Sequence, residues 1–167
     1  SYRQLVLLFL GVICMYKMNY DSPIGNIVLK SDGYSLVECY FSDEKENEEK
    51  NIGNVVLEET VQWLDDYFKG NKPLIKDLPI KFKGTEFQLK VWNELLKIPY
   101  GSTISYKELG KIIFGEKNLS SQAIGRAVSK NKLLVIVPCH RVIGSRGDLV
   151  GYAGGIDRKK YLLDHEK

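Results

Sequence analysis

Apolar positions along the chain follow two periodicities, and each predicts a different kind of element. Residues 4–14 form an almost unbroken apolar run, too short to cross a bilayer as a helix. It reads as a buried strand or as an extension upstream of the domain, and no small-x-small cleavage pattern follows it before Tyr16. Asp21-Ser22-Pro23-Ile24-Gly25 reads as a turn. Residues 26–30 and 34–41 read as strands joined across Ser31-Asp32-Gly33, predicting a small antiparallel sheet. Residues 42–50 are nearly all charged and predict an exposed loop. From 54 to 69 the spacing becomes helical, with Val56, Val61, Leu64, Tyr67 and Phe68 on one stripe and Gly70 as the stop.

Residues 71–83, with Pro73 and Pro79, predict a connection between two lobes, 1–80 and 81–167. Beyond it Thr85 and Gln88 form a capping-box pattern ahead of a stripe of Phe87, Val91, Leu95 and Ile98, which Pro99-Tyr100-Gly101 ends. Ser105 and Glu108 form a second box ahead of Leu109, Ile112 and Ile113, and Gly115 closes that helix. Ser120-Ser121 are N-cap candidates for a third helix over 122–130. Two short helices joined by a glycine-containing loop have the outline of a helix-turn-helix, an outline also found in helix pairs that never touch DNA. Residues 133–137 are a continuous apolar run of strand length, predicting a strand buried on both faces that ends at Pro138. A glycine-rich segment at 151–155 precedes a closing helix over 157–166.

Composition adds little beyond a folded chain of 167 residues, 44% hydrophobic and 27% charged. Charge distribution adds more. Residues 1–80 carry 8 Lys and Arg against 13 Asp and Glu, whereas residues 81–167 carry 16 against 8. That asymmetry suits one lobe meeting a polyanion, although solvated surface charge gives the same count. Cys14, Cys39 and Cys139 are an odd set without a CxxC pair, which points away from a disulfide framework and toward a reducing compartment. With His140 and His165 the only histidines, no metal-ligand spacing is present and no metal is expected.

Chemistry concentrates at Pro138-Cys139-His140-Arg141-Val142. A cysteine reacts as its thiolate, so a nucleophilic Cys139 needs a base or a positive field, and His140 and Arg141 flank it. Cys14 and Cys39 have no such neighbours and read as packed core residues. On an extended strand adjacent side chains point apart, so His140 is expected to reach the thiol through a water or a bend, with Glu166 orienting the imidazole. The expectation is a sulfur held ionised at the mouth of a cavity. On the residues alone two reaction classes stand, a cysteine hydrolase and an alkyl or acyl acceptor.

The run from Pro138 to Gly144 resembles the active-site signature of the O6-alkylguanine-DNA alkyltransferases, the methylated-DNA-protein-cysteine methyltransferases. The likeness extends through Gly84-Thr85-Glu86-Phe87-Gln88, Val91-Trp92, Ile98-Pro99-Tyr100-Gly101, Ser105-Tyr106, Gly151-Tyr152-Ala153-Gly154-Gly155 and Leu162-Leu163 to Glu166. In the first lobe it rests on Asp21-Ser22-Pro23-Ile24-Gly25. The resemblance implies an α/β protein, with an N-terminal RNase H-like lobe of a small antiparallel sheet with helix and a C-terminal helical, winged-helix-like lobe with helix-turn-helix. It also implies displacement of an alkyl group from guanine O6 by Cys139, once per molecule, with His140 as base, Glu166 as its orienting partner and Asn131 bracing the site. Tyr106 is implied as a donor to the departing guanine. The carbonyls of Cys139 and Val142 face its exocyclic amine, the amide of Ala153 faces O6, and Tyr152 forms the pocket wall.

The target atom lies inside a base stack, so such a protein must flip the nucleotide out. The resemblance assigns that step to the helix-turn-helix working from the minor groove of double-stranded DNA. Small residues at Ala123, Gly125 and Ala127 suit close approach to the backbone, or else tight helix packing. Counting back from Cys139 through Asn131 places Gln122 where the family usually carries an intercalating arginine, leaving Arg126 one turn on as a phosphate contact. Taken together these expectations describe a monomeric, cytoplasmic repair protein with no cofactor and no membrane segment. It would act on O6-methylguanine and also on O4-methylthymine, with a non-repairing binding module as the rival from another class.

Overall fold

The computed structural model describes residues 15–46, 54–116 and 120–167. The apolar run at 4–14, Cys14 and the charged stretch from 47 onward lie outside the described residues. Three strands, β1 (Tyr16–Ser22), β2 (Gly25–Ser31) and β3 (Leu36–Phe41), form an antiparallel meander in the order β1-β2-β3. Sequence reading missed β1, although Tyr16, Met18 and Tyr20 alternate there with Lys17, Asn19 and Asp21, and drew the 21–25 turn wider than it is. The hairpin instead pairs Ser22 with Gly25 across Pro23-Ile24 alone. At φ 116° Gly25 occupies backbone that other residues avoid, as this tight reversal requires.

Helix α1 (Val55–Phe68) covers the sheet with Val56, Leu57, Trp63, Leu64 and Tyr67 buried, and the Asn54 side chain caps it by accepting from the Leu57 amide at 3.2 Å. After a short 3₁₀ turn at Ile75–Asp77 come α2 (Glu86–Leu95), α3 (Tyr106–Phe114) and α4 (Ser121–Ser129), mutually packed. Both capping boxes form as read, Thr85 with Gln88 and Ser105 with Glu108, and Ser120 caps α4. Strands β4 (Ile104–Ser105) and β5 (Val142–Ile143) pair in parallel, fastening the start of α3 beside the Cys139 segment. Helix α5 (Ile156–His165) closes the chain.

Residues 133–137 are not a strand. Leu133 alone bridges to Cys39, Val135 adopts a left-handed φ of 69°, and the segment coils on itself through Ile136 N–H to Leu134 O (2.8 Å) and Val137 N–H to Leu133 O (2.9 Å). All five side chains are nonetheless buried. Apolar content reports burial, and a buried coil and a buried strand look alike by that measure. The coil is held by β3. Cys39 N–H donates to Lys132 O at 2.7 Å and Leu134 N–H to Cys39 O at 2.8 Å, while Leu36 N–H bonds Pro79 O and Lys81 N–H bonds Leu36 O. The edge of the sheet thus satisfies its backbone groups on both the connecting segment and the approach to Cys139. One apolar core runs from Ile27 and Leu29 through Leu64 and Leu95 to Val137 and Leu162. Among the described residues no helix is long and apolar enough to cross a membrane.

Candidate active site

Pro138 delivers the chain into a single 3₁₀ turn, Cys139–Arg141. With three residues per turn, consecutive side chains leave such a helix about 120° apart, so Cys139, His140 and Arg141 point in three directions. Cys139 is almost wholly buried, and its sulfur accepts from the Asn131 amide at 3.2 Å. Asn131 also donates to Val137 O at 3.2 Å and accepts from Leu133 N–H at 3.0 Å, tying the coil to the sulfur.

His140 is fully buried. Its Nε2 lies 2.7 Å from Glu166 Oε1, and its Nδ1 has no protein partner. With the carboxylate ionised, Nε2 carries the proton and Nδ1 is left as a free base. Burial dominates in lowering the pKa of His140, helped by the Arg141 and Lys159 charges and opposed by Glu166, so the ring rests neutral.

Glu166 is saturated with donors. Oε1 accepts from His140, from Tyr67 Oη–H at 2.8 Å and from Arg141 Nη2 at 2.9 Å, and Oε2 accepts from Arg141 Nε at 2.8 Å and the Gly101 amide at 3.3 Å. Burial alone would raise this carboxyl, but the hydrogen bonds and charges of His140 and Arg141 hold it well below the usual carboxylate range. Gly101 is required where it sits. At φ 77° a Cβ would lie 2.9 Å from the Glu166 carbonyl oxygen.

Two expectations about the thiol are corrected. Arg141 is not a positive field for Cys139, because its guanidinium is spent on Glu166 and on Ile98 O at 2.6 Å. Nor is the sulfur ionised at rest, because burial pushes the Cys139 thiol up to about 11, against smaller opposing effects of the Asn131 amide and the Lys159 ammonium. The site holds a thiol with a base in reserve.

Lys159 is the residue that sequence reading missed. It is completely buried on α5, where Nζ donates to Val142 O at 2.6 Å and Val150 O at 3.0 Å and lies 5.8 Å from the Tyr106 ring centre. Burial lowers its pKa, and the nearby Cys139 opposes that shift. Its position was legible in principle. Residues 159, 162 and 166 share one helical face, so a lysine there lies on the buried stripe.

Of the remaining predicted site residues, Tyr106 and Tyr152 lie within electrostatic reach of Cys139. Tyr106, at the start of α3, donates to Val150 O at 2.9 Å. The Val142 and Cys139 carbonyls each already accept one internal bond, from Lys159 and from the Val142 amide respectively. Tyr152 has its hydroxyl buried without a partner, while Ala153 is exposed on the turn. On α4 Gln122 and Arg126 are exposed one turn apart, and Ala123 and Gly125 are half-buried. Gly125 faces the Tyr106 ring, and a Cβ there would meet it at 3.9 Å, an ordinary contact, so the ring does not require glycine at this position. Ala127 does not belong to the exposed face. It is buried, and its carbonyl accepts from the Trp92 indole at 2.8 Å, so its small size serves the packing of α4 on α2.

A buried cysteine braced by an amide, with a buried histidine-carboxylate pair and packed, capped helices in the same half, defines the class as an α/β protein with a candidate cysteine-histidine-carboxylate centre. Comparison with known proteins gives the family. A family model described as "6-O-methylguanine DNA methyltransferase, ribonuclease-like domain" matches residues 15–82, and one described as the "DNA binding domain" of the same family matches residues 86–167. A methylated-DNA--protein-cysteine methyltransferase of Methanosarcina acetivorans is 42% identical over 158 residues, covering 91% of this chain and 98% of its own. One from Mycobacterium leprae is 41% identical, over 88% and 89%. The crystal structure of Mycobacterium tuberculosis OGT in complex with DNA superposes with a TM-score of 0.79 at 38% identity, over 91% of this chain and 92% of that one. The chain belongs to the 6-O-methylguanine DNA methyltransferase family.

Proposed function

We propose that this protein repairs O6-alkylated guanine in double-stranded DNA by moving the alkyl group onto Cys139. His140 Nδ1 takes the thiol proton through one water. Sulfur attacks the alkyl carbon, the S–C bond forms as the C–O6 bond breaks, and the electron pair leaves with the guanine, which recovers a proton from its surroundings. The product is a thioether and an unmodified base. Nothing in this reaction regenerates the thiol, so each molecule acts once and no cofactor is consumed. The observation that carries the reading is the buried, partnerless Nδ1 of His140 behind a braced Cys139, with Nε2 locked on an ionised Glu166.

Around that centre, Lys159 steadies the thiolate as it forms. Tyr106 exchanges its carbonyl acceptor for the departing purine. The Cys139 and Val142 carbonyls, each with a second lone pair, accept from the exocyclic amine, the Ala153 amide faces O6, and Tyr152 walls the pocket. Gln122, exposed at the start of α4, occupies the gap left by a flipped nucleotide, with Ala123 and Gly125 against the groove and Arg126 on phosphate. Residues 1–80 support the site and residues 81–167 carry it. The protein acts as a monomer in the cytoplasm, and O4-methylthymine is a second substrate.

The test is a duplex carrying labelled O6-methylguanine. Label should reach the protein, plateau at one equivalent, and vanish in Cys139→Ser but not in Cys39→Ser. Repeated release of label marks a hydrolase, and binding without transfer marks a recognition module; either result ends the reading.

A further inference from the structure

We propose that Tyr67, from α1 of the sheet-bearing half, is a positioning residue of the transfer reaction, setting the orientation and basicity of His140 through the Glu166 oxygen that both groups share. The inference rests on the proposed role of His140 as base.

Tyr67 is 99 residues from Glu166 in sequence, and its hydroxyl is spent on Glu166 Oε1 at 2.8 Å. The ring is clamped by Trp63 (centroids 5.6 Å apart, 7° between planes), by Phe68 and Tyr100 edge-on, and by His165 at 5.2 Å. Phenylalanine would satisfy all four of these contacts. Burying a phenol costs free energy unless its hydroxyl finds a partner, so what the hydroxyl adds lies at the carboxylate.

Oε1 is shared among Tyr67, His140 and Arg141. Each donor withdraws electron density that the others would otherwise use, so the oxygen is a weaker acceptor toward His140 than a carboxylate serving the histidine alone. An imidazolium is then stabilised less, and the ring remains a neutral base at neutral pH. The charged and titratable groups around His140 are Glu166, Arg141, Lys159 on α5 and Cys139. Those around Tyr67 are Glu166, Arg141, Tyr100, Tyr152 and His165, with Lys72 5.2 Å over the Tyr100 ring. None of these replaces the hydroxyl on Oε1. Without it, Oε1 should bind His140 more tightly and the protonated ring should persist to higher pH.

The chain contains two histidines, so ¹⁵N-histidine labelling gives two imidazoles, distinguished by His165→Gln. In Tyr67→Phe the His140 titration and the acid limb of single-turnover methyl transfer from duplex should move together to higher pH by about half a unit, the scale of one lost hydrogen bond to a charged group shared among several. Transfer well below the wild-type midpoint should fall about threefold. Trp63→Phe, which loosens the same cluster and keeps the hydroxyl, should lower Tm and leave both midpoints in place. A Tyr67→Phe protein with lowered Tm but wild-type midpoints overturns the proposal. A wild-type acid limb that is present yet unmoved removes Tyr67 alone, whereas a wild-type rate with no acid limb removes His140 as base and Tyr67 with it.

Discussion

Replacing Glu166 by Gln separates what the carboxylate does for folding from what it does for chemistry. The side chain is 1% exposed, and its ion-pair partners His140 and Arg141 are 0% and 8% exposed. Glutamine keeps the shape and loses the charge, leaving the Arg141 guanidinium buried with neutral acceptors alone, Ile98 O and the new amide oxygen. Removing one partner of a buried pair costs about 3–5 kcal/mol, and for a chain of this size each kcal/mol lowers Tm by roughly 2–4 °C. Calorimetry should therefore show a fall of about 6–20 °C. The new amide can also turn its NH₂ toward His140, favouring the tautomer with its proton on Nδ1, where the base is needed; single-turnover transfer below the lowered Tm should slow by about 10²–10⁴-fold. Adding Arg141→Met removes the stranded charge and should restore much of the stability while leaving the rate where Glu166→Gln put it. A Glu166→Gln protein that transfers within threefold of wild type would refute the relay, and a double variant no more stable than the single would refute the account of the pair.

Two further predictions follow from burial and exposure. His140 is held neutral, with its folded pKa below the ordinary value of 6.5, so the unfolded chain binds more protons as pH falls through that value. Stability should be complete above about pH 6.5 and decline below it, with Glu166 adding a second loss below about pH 4.5, where its unfolded carboxyl takes up a proton. Tm measured from pH 7 to 5 should fall in wild type and flatten in His140→Gln. At the exposed start of α4, Gln122→Arg should speed repair of duplex several-fold and leave reaction with the free alkylated base unchanged, because a cation in the emptied stack helps only when a stack exists. Equal rates for both variants on duplex would remove Gln122 from the flipping step.

Local signals were readable and long-range ones were not. Caps depend on residues three apart, so Thr85-Gln88 and Ser105-Glu108 declared two helix starts to the residue. The Cys139-His140 pair and distant Glu166 came from a motif, and the structure brings His140 and Glu166 into contact. What failed was inference from apolarity. The run at 133–137 is buried because it threads between β3 and the core, yet Val135 turns left-handed inside it, and no pattern of side chains announces a backbone angle. Reading that run as a strand also placed the 3₁₀ turn at Cys139 out of reach, and with it the three-way divergence of Cys139, His140 and Arg141. Arg141 looked like an activator of the thiol because it is two residues away in sequence, whereas Lys159, twenty residues past Cys139, acts on it electrostatically. Tyr67 could not be found from sequence, since a tyrosine on a helical apolar stripe is ordinarily core and its hydroxyl partner is set by tertiary packing alone.

The bonds between Cys39 and the Lys132–Leu134 segment give the molecule a mechanical property that its two family matches do not suggest. Strand β3 cannot fray without releasing the coil that carries Asn131, and the coil cannot loosen without stripping an edge of the sheet. The amides of Cys39 and Leu134 should therefore exchange with solvent through one shared opening, and the matched halves should melt together as a single cooperative body rather than as beads on a string.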